Sequence, residues 1–295
     1  MKVLVTGGSG QLGYDVCKEL KKRKHIVVGT DRTEMDITDK EAVAARLSRF
    51  NPDIVVHCAA WTEVDDAESA CRYKIVRSIN SEGTRYIAES CRQLDIKMMY
   101  ISTDYVFDGS GTKPWCPDCR EFGPLNVYGQ TKLEGETAVS QIVPKYFIVR
   151  TAWLFGKNGQ NFVRTMLKAG STYHALSVVN DQIGTPTYTV DLARLLVDMA
   201  ETEKYGYYHA TNEGEYVSRY DFAAEIFRQM AQRGYQEYDS KHLIMKQIAS
   251  ANYMHSKAMR PHNSRMDKSK LDKNGFMKLP EWKDAITRYL GELGL

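Results

Sequence analysis

The chain contains no apolar run near the ~18 residues of a membrane-spanning helix, which excludes an α-helical membrane protein. Like charge is never concentrated beyond "KKRK" (Lys21 to Lys24), and the net charge is only +3. That run closes an expected helix, where cations suit the dipole, so it reads as a solvated helix end rather than a nucleic-acid patch. No segment repeats, none is of low complexity, and no Pro/Ser-rich linker separates two halves. The opening "MKVLVTGG" enters a strand pattern directly and leaves no room for a signal peptide. A cytoplasmic protein with no nucleic-acid and no membrane partner is the expectation. Cysteine is scarce, six in 295 residues. Cys17, Cys58, Cys71 and Cys91 fall in expected helix or strand and read as small buried apolar residues. Cys116 and Cys119 form "CPDC", half of a zinc site or a redox pair. No second C-x-x-C exists and no histidine lies near in sequence. An incidental pair of loop thiols is the first reading; a reversible disulfide and a metal stay open.

Hydrophobic residues make up 43% and charged residues 26%, as in an ordinary globular protein. The first half alternates apolar strands with amphipathic helices: "KVLVTG", "QLGYDVCKELKKRK", "HIVVGTD", "KEAVAARLSRF", "PDIVVHCAA", "INSEGTRYIAESCRQL", "KMMYIST", then "YFIVRTAW". That rhythm implies a Rossmann-type, doubly wound parallel α/β sheet covered on both faces. The second half loses it, with a short "LSVVN", helices at "TVDLARLLVDMAETE" and "SRYDFAAEIFRQM", a strand-like "YGYYHAT", a polar "RPHNSRMDKSKLDKNG" and a last helix. Residues 1–152 read as a dinucleotide-binding domain. Residues 153–295 read mostly as a smaller mixed α/β lobe, partly interleaved with the first.

"TGGSGQLG" (Thr6 to Gly13) joins the first strand to the first helix. Gly7, Gly10 and Gly13 are three apart, a variant of the G-x-G-x-x-G fingerprint. Such a loop gives a tight turn, close backbone approach and amides at a helix N-terminus facing a diphosphate. Asp31 ends the second strand, where a carboxylate can accept from an adenosine ribose. That favours NAD, while Arg32 can pair with the extra phosphate of NADP. Either NADH or NADPH fits.

Three Tyr-x-x-x-Lys pairs occur: Tyr14/Lys18, Tyr128/Lys132 and Tyr253/Lys257. Residues i and i+4 share a helix face, so spacing alone cannot sort them. Tyr14/Lys18 lies beyond the phosphate-facing end of the first helix and reads as surface. Tyr253/Lys257 lies in irregular sequence with no partner motif. Tyr128/Lys132 follows a fourth strand that ends in Ser102, Thr103 and Asp104, and open α/β sheets bind ligands at the carboxyl ends of strands. An ammonium at Lys132 is expected to lower the Tyr128 pKa. Bringing it from ~10 to ~7 takes roughly 4 kcal/mol of differential interaction, which the lysine and a positively charged oxidised nicotinamide would supply together in a partly desolvated site. His57, at the end of "VVHC", reads as a packed strand residue.

The combination "TGGSGQLG", "NSEGT", "STDYVFDG" and "PLNVYGQTK" resembles the extended short-chain dehydrogenase/reductase family. With "RTAWLFG", "NDQIGTPT" and "RPHNSR" it is similar to the dTDP-4-dehydrorhamnose reductase subgroup, from residue 3 to about residue 265. The resemblance implies Tyr128 as proton donor, Lys132 at the nicotinamide ribose, and Thr103 at the substrate oxygen. It implies Gly10, Gln11 and Leu12 at the cofactor diphosphate, Asp31 at the adenosine ribose, and Asp36 and Ile37 at the adenine. Ala59, Ala60 and Trp61 would line the cofactor channel. Asp104 and Trp153 would hold the sugar of a dTDP-sugar, with Arg260 as a weaker candidate for its diphosphate. Mg2+ is reported for such enzymes, but no ligand is assigned here. A homodimer is compatible.

Related readings stay open. The 4,6-dehydratases resemble a pattern with Asp-Glu after the strand-end Thr, whereas this chain has Asp104-Tyr105. An epimerase shares the fold and the Tyr/Lys pair. A non-catalytic reading comes from the similar regulatory β subunit of methionine adenosyltransferase.

Overall fold

The computed structural model describes residues 1–253 and 256–295. Strand β1 (Lys2–Thr6) buries Val3, Leu4 and Val5 completely, as a strand covered on both faces requires. Helix α1 (Gln11–Lys22) presents Leu12, Val16 and Leu20 on one face and packs them in the same core. Strand β2 (Ile26–Thr30) follows, then α2 (Lys40–Phe50). Asp39 caps α2 by accepting from the Glu41 and Ala42 amides, and Asn51 ends it in the left-handed region at φ 45°. Next come β3 (Ile54–His57), α3 (Thr84–Gln93), β4 (Lys97–Thr103), α4 (Val127–Ile142) and β5 (Tyr146–Thr151).

The later elements are α5 (Phe162–Thr172), α6 (Thr189–Ala200), β6 (Gly206–His209), α7 (Arg219–Gln232) and α8 (Trp282–Glu292). The central sheet runs β6-β5-β4-β3-β1-β2, all strands parallel. The chain steps outward from β1 to β2 and returns on the other side of β1 as β3. Loops leaving β1 and β3 therefore part at a topological switch point, where such sheets form their crevice. A second core of Phe155, Phe222, Phe227, Trp282 and Tyr289 underlies the other lobe.

That lobe is interleaved in space. Residues 189–209 carry α6 and β6 back to the first body, where Leu192, Leu195 and Leu196 share the core of β1 and α1. Residues 175–179 pair with 244–248 in parallel. Sequence reasoning named no element at 244–248, and Ile244 there is 57% exposed. The expected helix at "INSEGTRYIAESCRQL" starts as a π-helical turn at Ser78–Gly83 before becoming α-helical. Of the four cysteines expected inside, Cys91 is buried, Cys17 and Cys58 are half-buried, and Cys71 is exposed, in a turn after a four-residue helix. Among the described residues no helix is long and apolar enough to cross a membrane.

The loop after β4 is zipped to the polar stretch before α8. The Asn263 amide donates to the Gly109 carbonyl at 2.9 Å, and Trp115 exchanges bonds with Arg265 and Asp267 at 2.9 and 2.8 Å. Asp118 pairs with Lys270 at 2.7 Å.

Candidate active site

The glycine loop is a cradle that side chains would fill. Gly7 has φ 65°, and a Cβ there would stand 2.9 Å from the Ala59 amide nitrogen. A Cβ on Gly13 would meet the Gly7 carbonyl at 2.0 Å. The Gly10 amide closes the turn by donating to Gly7 at 3.0 Å. No side chain caps α1, so its first-turn amides are left for an anion at the helix N-terminus. Leu12 buries its side chain in the core, so only its amide can serve. The Gln11 side chain accepts from Asn161 at 3.1 Å, pinning the other lobe to the start of α1.

Beside the cradle lies a cavity of about 250 Å³, lined by Gly7, Asp31, Arg32, Asp36, Ile37 and Ala59 among others. Both Asp31 oxygens accept from the Ser9 amide, at 3.3 and 3.2 Å, so the strand-end acid also holds the glycine loop. Arg32 is exposed and points Nε at Asp36 from 3.3 Å. The Thr38 hydroxyl and amide hold the Asp36 carboxyl below its ordinary range. A dinucleotide fits this donor set: amides for a diphosphate, a carboxylate for a ribose and an apolar floor for a base.

Ala59, Ala60 and Trp61 follow β3, and a buried side chain sets their path. Asn80 accepts from the Trp61 amide at 2.8 Å and donates to its carbonyl at 3.2 Å. It also donates to Thr131 on α4 at 3.2 Å. Asn80 sits in the π turn, a local widening that often marks a functional site. It was quoted within a motif above, but its clamping role has no local signal. His57 is packed between the Thr6 and Thr84 hydroxyls, at 2.6 and 3.0 Å. Burial lowers its pKa to about 3, so the ring is neutral.

Thr103, Asp104, Tyr128 and Lys132 come together where β4 meets α4. Asn126 caps α4 by accepting from the Gly129 amide at 2.8 Å, which sets Tyr128 in the first turn. Lys132 is buried, donates to the Ile101 carbonyl at 2.7 Å, and lies 4.1 Å over the Tyr100 ring. Burial lowers its pKa to about 7. The expected lowering of the Tyr128 pKa is corrected by the structure. Burial and the neighbouring Asp104 charge push the phenol well above its ordinary range, and only a Thr103 hydrogen bond opposes them. Spacing puts tyrosine and lysine on one face but does not report the desolvation of that face. The phenol is therefore protonated at neutral pH.

Asp104 is buried, and burial raises its pKa to about 6. Its Oδ1 accepts from Thr103 at 3.0 Å, while Oδ2 has no hydrogen-bond partner among the described residues. Trp153, at the mouth of β5, adopts φ 53°. A non-glycine residue there carries strain of about 1–3 kcal/mol, a common mark of functional positions. The Arg219 guanidinium stacks on the Trp153 ring at 3.8 Å. Arg219 was missed by sequence reasoning, since no motif surrounds it. Arg260 reaches the same crevice, but its fork is engaged by Asp65, with Nη2 to Oδ2 at 2.6 Å.

The decoy pairs stay apart from this cluster. Tyr14 is 37% exposed on α1, and Lys18 faces Glu292 at 4.0 Å. Tyr253 is 40% exposed, and the Lys257 amide donates to Asp65. Cys116 and Cys119 are free thiols in a turn closed by the Cys119 amide on the Cys116 carbonyl at 3.1 Å. Among the described residues no group of three or more His, Cys, Asp or Glu could hold a metal ion.

Comparison with known proteins adds a family. The model described as "RmlD substrate binding domain" matches residues 1–294. A dTDP-4-dehydrorhamnose reductase of Aggregatibacter actinomycetemcomitans is 37% identical over 293 residues, 97% of each chain. The crystal structure of a dTDP-4-dehydrorhamnose reductase from Clostridium acetobutylicum superposes with a TM-score of 0.92 at 38% identity, covering 100% of both chains. A Bacillus anthracis dTDP-4-dehydrorhamnose reductase in complex with NADP gives 0.89 at 35% identity, covering 99% of both.

Proposed function

The chain belongs to the family described as RmlD substrate binding domain, and on that premise we propose that it reduces the C4 ketone of dTDP-4-dehydro-L-rhamnose, forming dTDP-L-rhamnose. Full-length relatives at 37% and 38% identity that carry this activity in their names support the reading. The single observation in the site that favours it is the convergence of Tyr128, Thr103 and Lys132 where β4 meets α4. Reduction of a ketone consumes a proton, and a phenol that holds its proton at neutral pH is ready to supply one.

The residues that would hold the nicotinamide cofactor are the amides of Gly7, Gly10, Gln11, Leu12 and Gly13, with Asp31 at the ribose and Asp36 and Ile37 beside the base. Ala59, Ala60 and Trp61 wall the passage, and Lys132 serves the nicotinamide ribose. Hydride delivery to C4 is the chemistry the cofactor supplies when bound. Thr103 orients the ketone oxygen, and the Tyr128 hydroxyl protonates the alkoxide as it develops. An alkoxide is a far stronger base than a phenolate, so this transfer is downhill even from a phenol lifted above its usual range. Lys132, with its pKa near about 7, gains a proton more readily once a phenolate stands beside it. NADPH is the preferred form in this reading. Arg32 stands exposed at the cavity mouth to meet a 2′-phosphate, and the Bacillus anthracis relative binds NADP.

The test mixes the purified chain with NADPH and dTDP-4-dehydro-L-rhamnose. Oxidation of NADPH one-for-one with dTDP-L-rhamnose is expected. Conversion of the substrate to an isomeric keto sugar without net oxidation of NADPH, as an epimerase would give, refutes the reading, and so does the absence of turnover.

A further inference from the structure

The Arg219 guanidinium stacks on Trp153 in the crevice wall, and the reaction as described leaves it unused. Arg219 is the first residue of α7, placed there by a capping box in which Ser218 and Asp221 bond each other reciprocally. The short strand Val217–Ser218 pairs antiparallel with Ile183–Gly184, and Ser264 bonds the far side of that strand through Ile183 at 2.8 Å. A Cβ on Gly184 would touch both the Trp153 ring and the Ser264 side chain at 3.1 Å. Trp153, Gly184 and Ser264 therefore form one continuous wall. Arg219 lies flat on its Trp153 end, and Asp104 lies beside its Ser264 end.

Among the described residues the Arg219 guanidinium makes no hydrogen bond and no ion pair, although Asp104 and Tyr105 act on it electrostatically. The buried Oδ2 of Asp104 makes no hydrogen bond of ordinary length among the described residues, although the Ser264 hydroxyl beside the carboxyl holds its pKa down. A donor-only fork and an acceptor-only oxygen act on each other electrostatically with no hydrogen bond or ion pair across the space between them. An anionic group in that space would satisfy the arginine and be repelled by the carboxylate. A hydroxyl satisfies both, donating to Asp104 and accepting from Arg219.

We propose that Arg219 and Asp104 form a two-sided clamp on one hydroxyl of the substrate sugar, with Trp153 as its floor. The clamp rests on the 4-keto sugar reading above. Asp104 directly follows Thr103, the residue at the ketone oxygen, so the hydroxyl it reaches is on the carbon adjacent to the ketone. In a 6-deoxy-4-keto sugar that is the C3 hydroxyl, because the other neighbour, C5, carries the ring oxygen and the methyl. Arg219 is thereby a specificity-determining residue: a sugar lacking that hydroxyl leaves two desolvated polar groups unpaired.

The experiment uses the full chain, its Arg219→Met variant, which keeps the stacking stem without the donors, and Arg219→Lys. Calorimetry measures binding of dTDP-4-dehydro-L-rhamnose, its 3-deoxy analogue and dTDP alone, and turnover is followed in parallel. The unaltered chain should prefer the hydroxylated sugar by on the order of 10²-fold in kcat/KM and in affinity. Arg219→Met should cut that preference to below about tenfold, leave dTDP affinity within about threefold, and keep its melting temperature; Arg219→Lys should recover part of the preference. Weakened dTDP binding in Arg219→Met would overturn the clamp and make the residue a diphosphate contact. Undiminished preference in both variants would overturn it as well. If the unaltered chain binds the sugars but reduces none, the activity assignment fails while the binding preference still reads the clamp.

Discussion

Glu136 on α4 and Arg150 on β5 form an ion pair in which the two side chains are 1% and 0% exposed. Two bonds of 2.8 and 2.7 Å make it bidentate. The same guanidinium donates to the Pro117 carbonyl at 3.2 Å, so it ties the Tyr/Lys helix, the sheet and the loop after β4 to one point. Replacing Glu136 by Leu strands a buried cation, a loss of about 3–5 kcal/mol. Unfolding entropy of ~2.1 cal/mol/K per residue gives roughly 0.6 kcal/mol/K for a chain of this length, so the melting temperature should fall by about 5–8 °C. The double variant Glu136→Leu/Arg150→Met removes both charges. The rings of Phe107, Phe122 and Tyr207, 4.9, 5.3 and 4.9 Å from the guanidinium carbon, already line the place its side chain would take. It should regain most of the loss, since hydrophobic replacement of a buried pair is often neutral. Thermal and urea unfolding of the three proteins measure this. A single variant within about 1 kcal/mol of the unaltered chain, or a double variant no better than the single, refutes the argument.

Tyr128→Phe removes the proposed proton donor and should lower kcat by about 10²–10⁴-fold, with NADPH affinity by fluorescence titration little changed. Retained turnover would dismiss Tyr128 as the acid. Arg32→Ala should raise the KM for NADPH by about tenfold or more and leave that for NADH within about twofold, because only NADPH has a phosphate for the guanidinium. Equal effects on both would remove Arg32 from the 2′-phosphate. Asp104 titrates at about 6 in the fold against an ordinary value near 4, so the folded chain holds this proton more tightly than the unfolded one. Its contribution to stability is full below about pH 4 and is lost as the pH rises through about 6. Asp104→Asn should therefore stabilise the protein by about 2–3 kcal/mol at pH 8, gain nothing at pH 4, and lower kcat/KM. Identical unfolding curves at pH 8 would contradict the burial cost assigned to this carboxylate.

What could be read from the sequence separates cleanly by the range of the interactions involved. The glycine turn and the helix carrying Tyr128 are local: Gly7 is required by its own φ of 65° and Gly13 by an oxygen six residues back, and Asn126 caps the helix it precedes. The five strands of the first half were legible because buried parallel strands are short continuous apolar runs. Residues 244–248 were not, since their partner at 175–179 is remote in sequence and Ile244 and Gln247 face solvent. Arg219 depends on two-residue strands far apart in the chain, and its only local sign is the capping box that starts α7. Electrostatics were misjudged for a related reason. A lysine four residues from a tyrosine is visible in sequence, but Asp104 and the depth of the crevice, which decide the sign of the Tyr128 shift, are supplied by β4 and by the zipped loop above it. A reduction draws on the phenol's proton, and the burial of Tyr128 favours the neutral phenol.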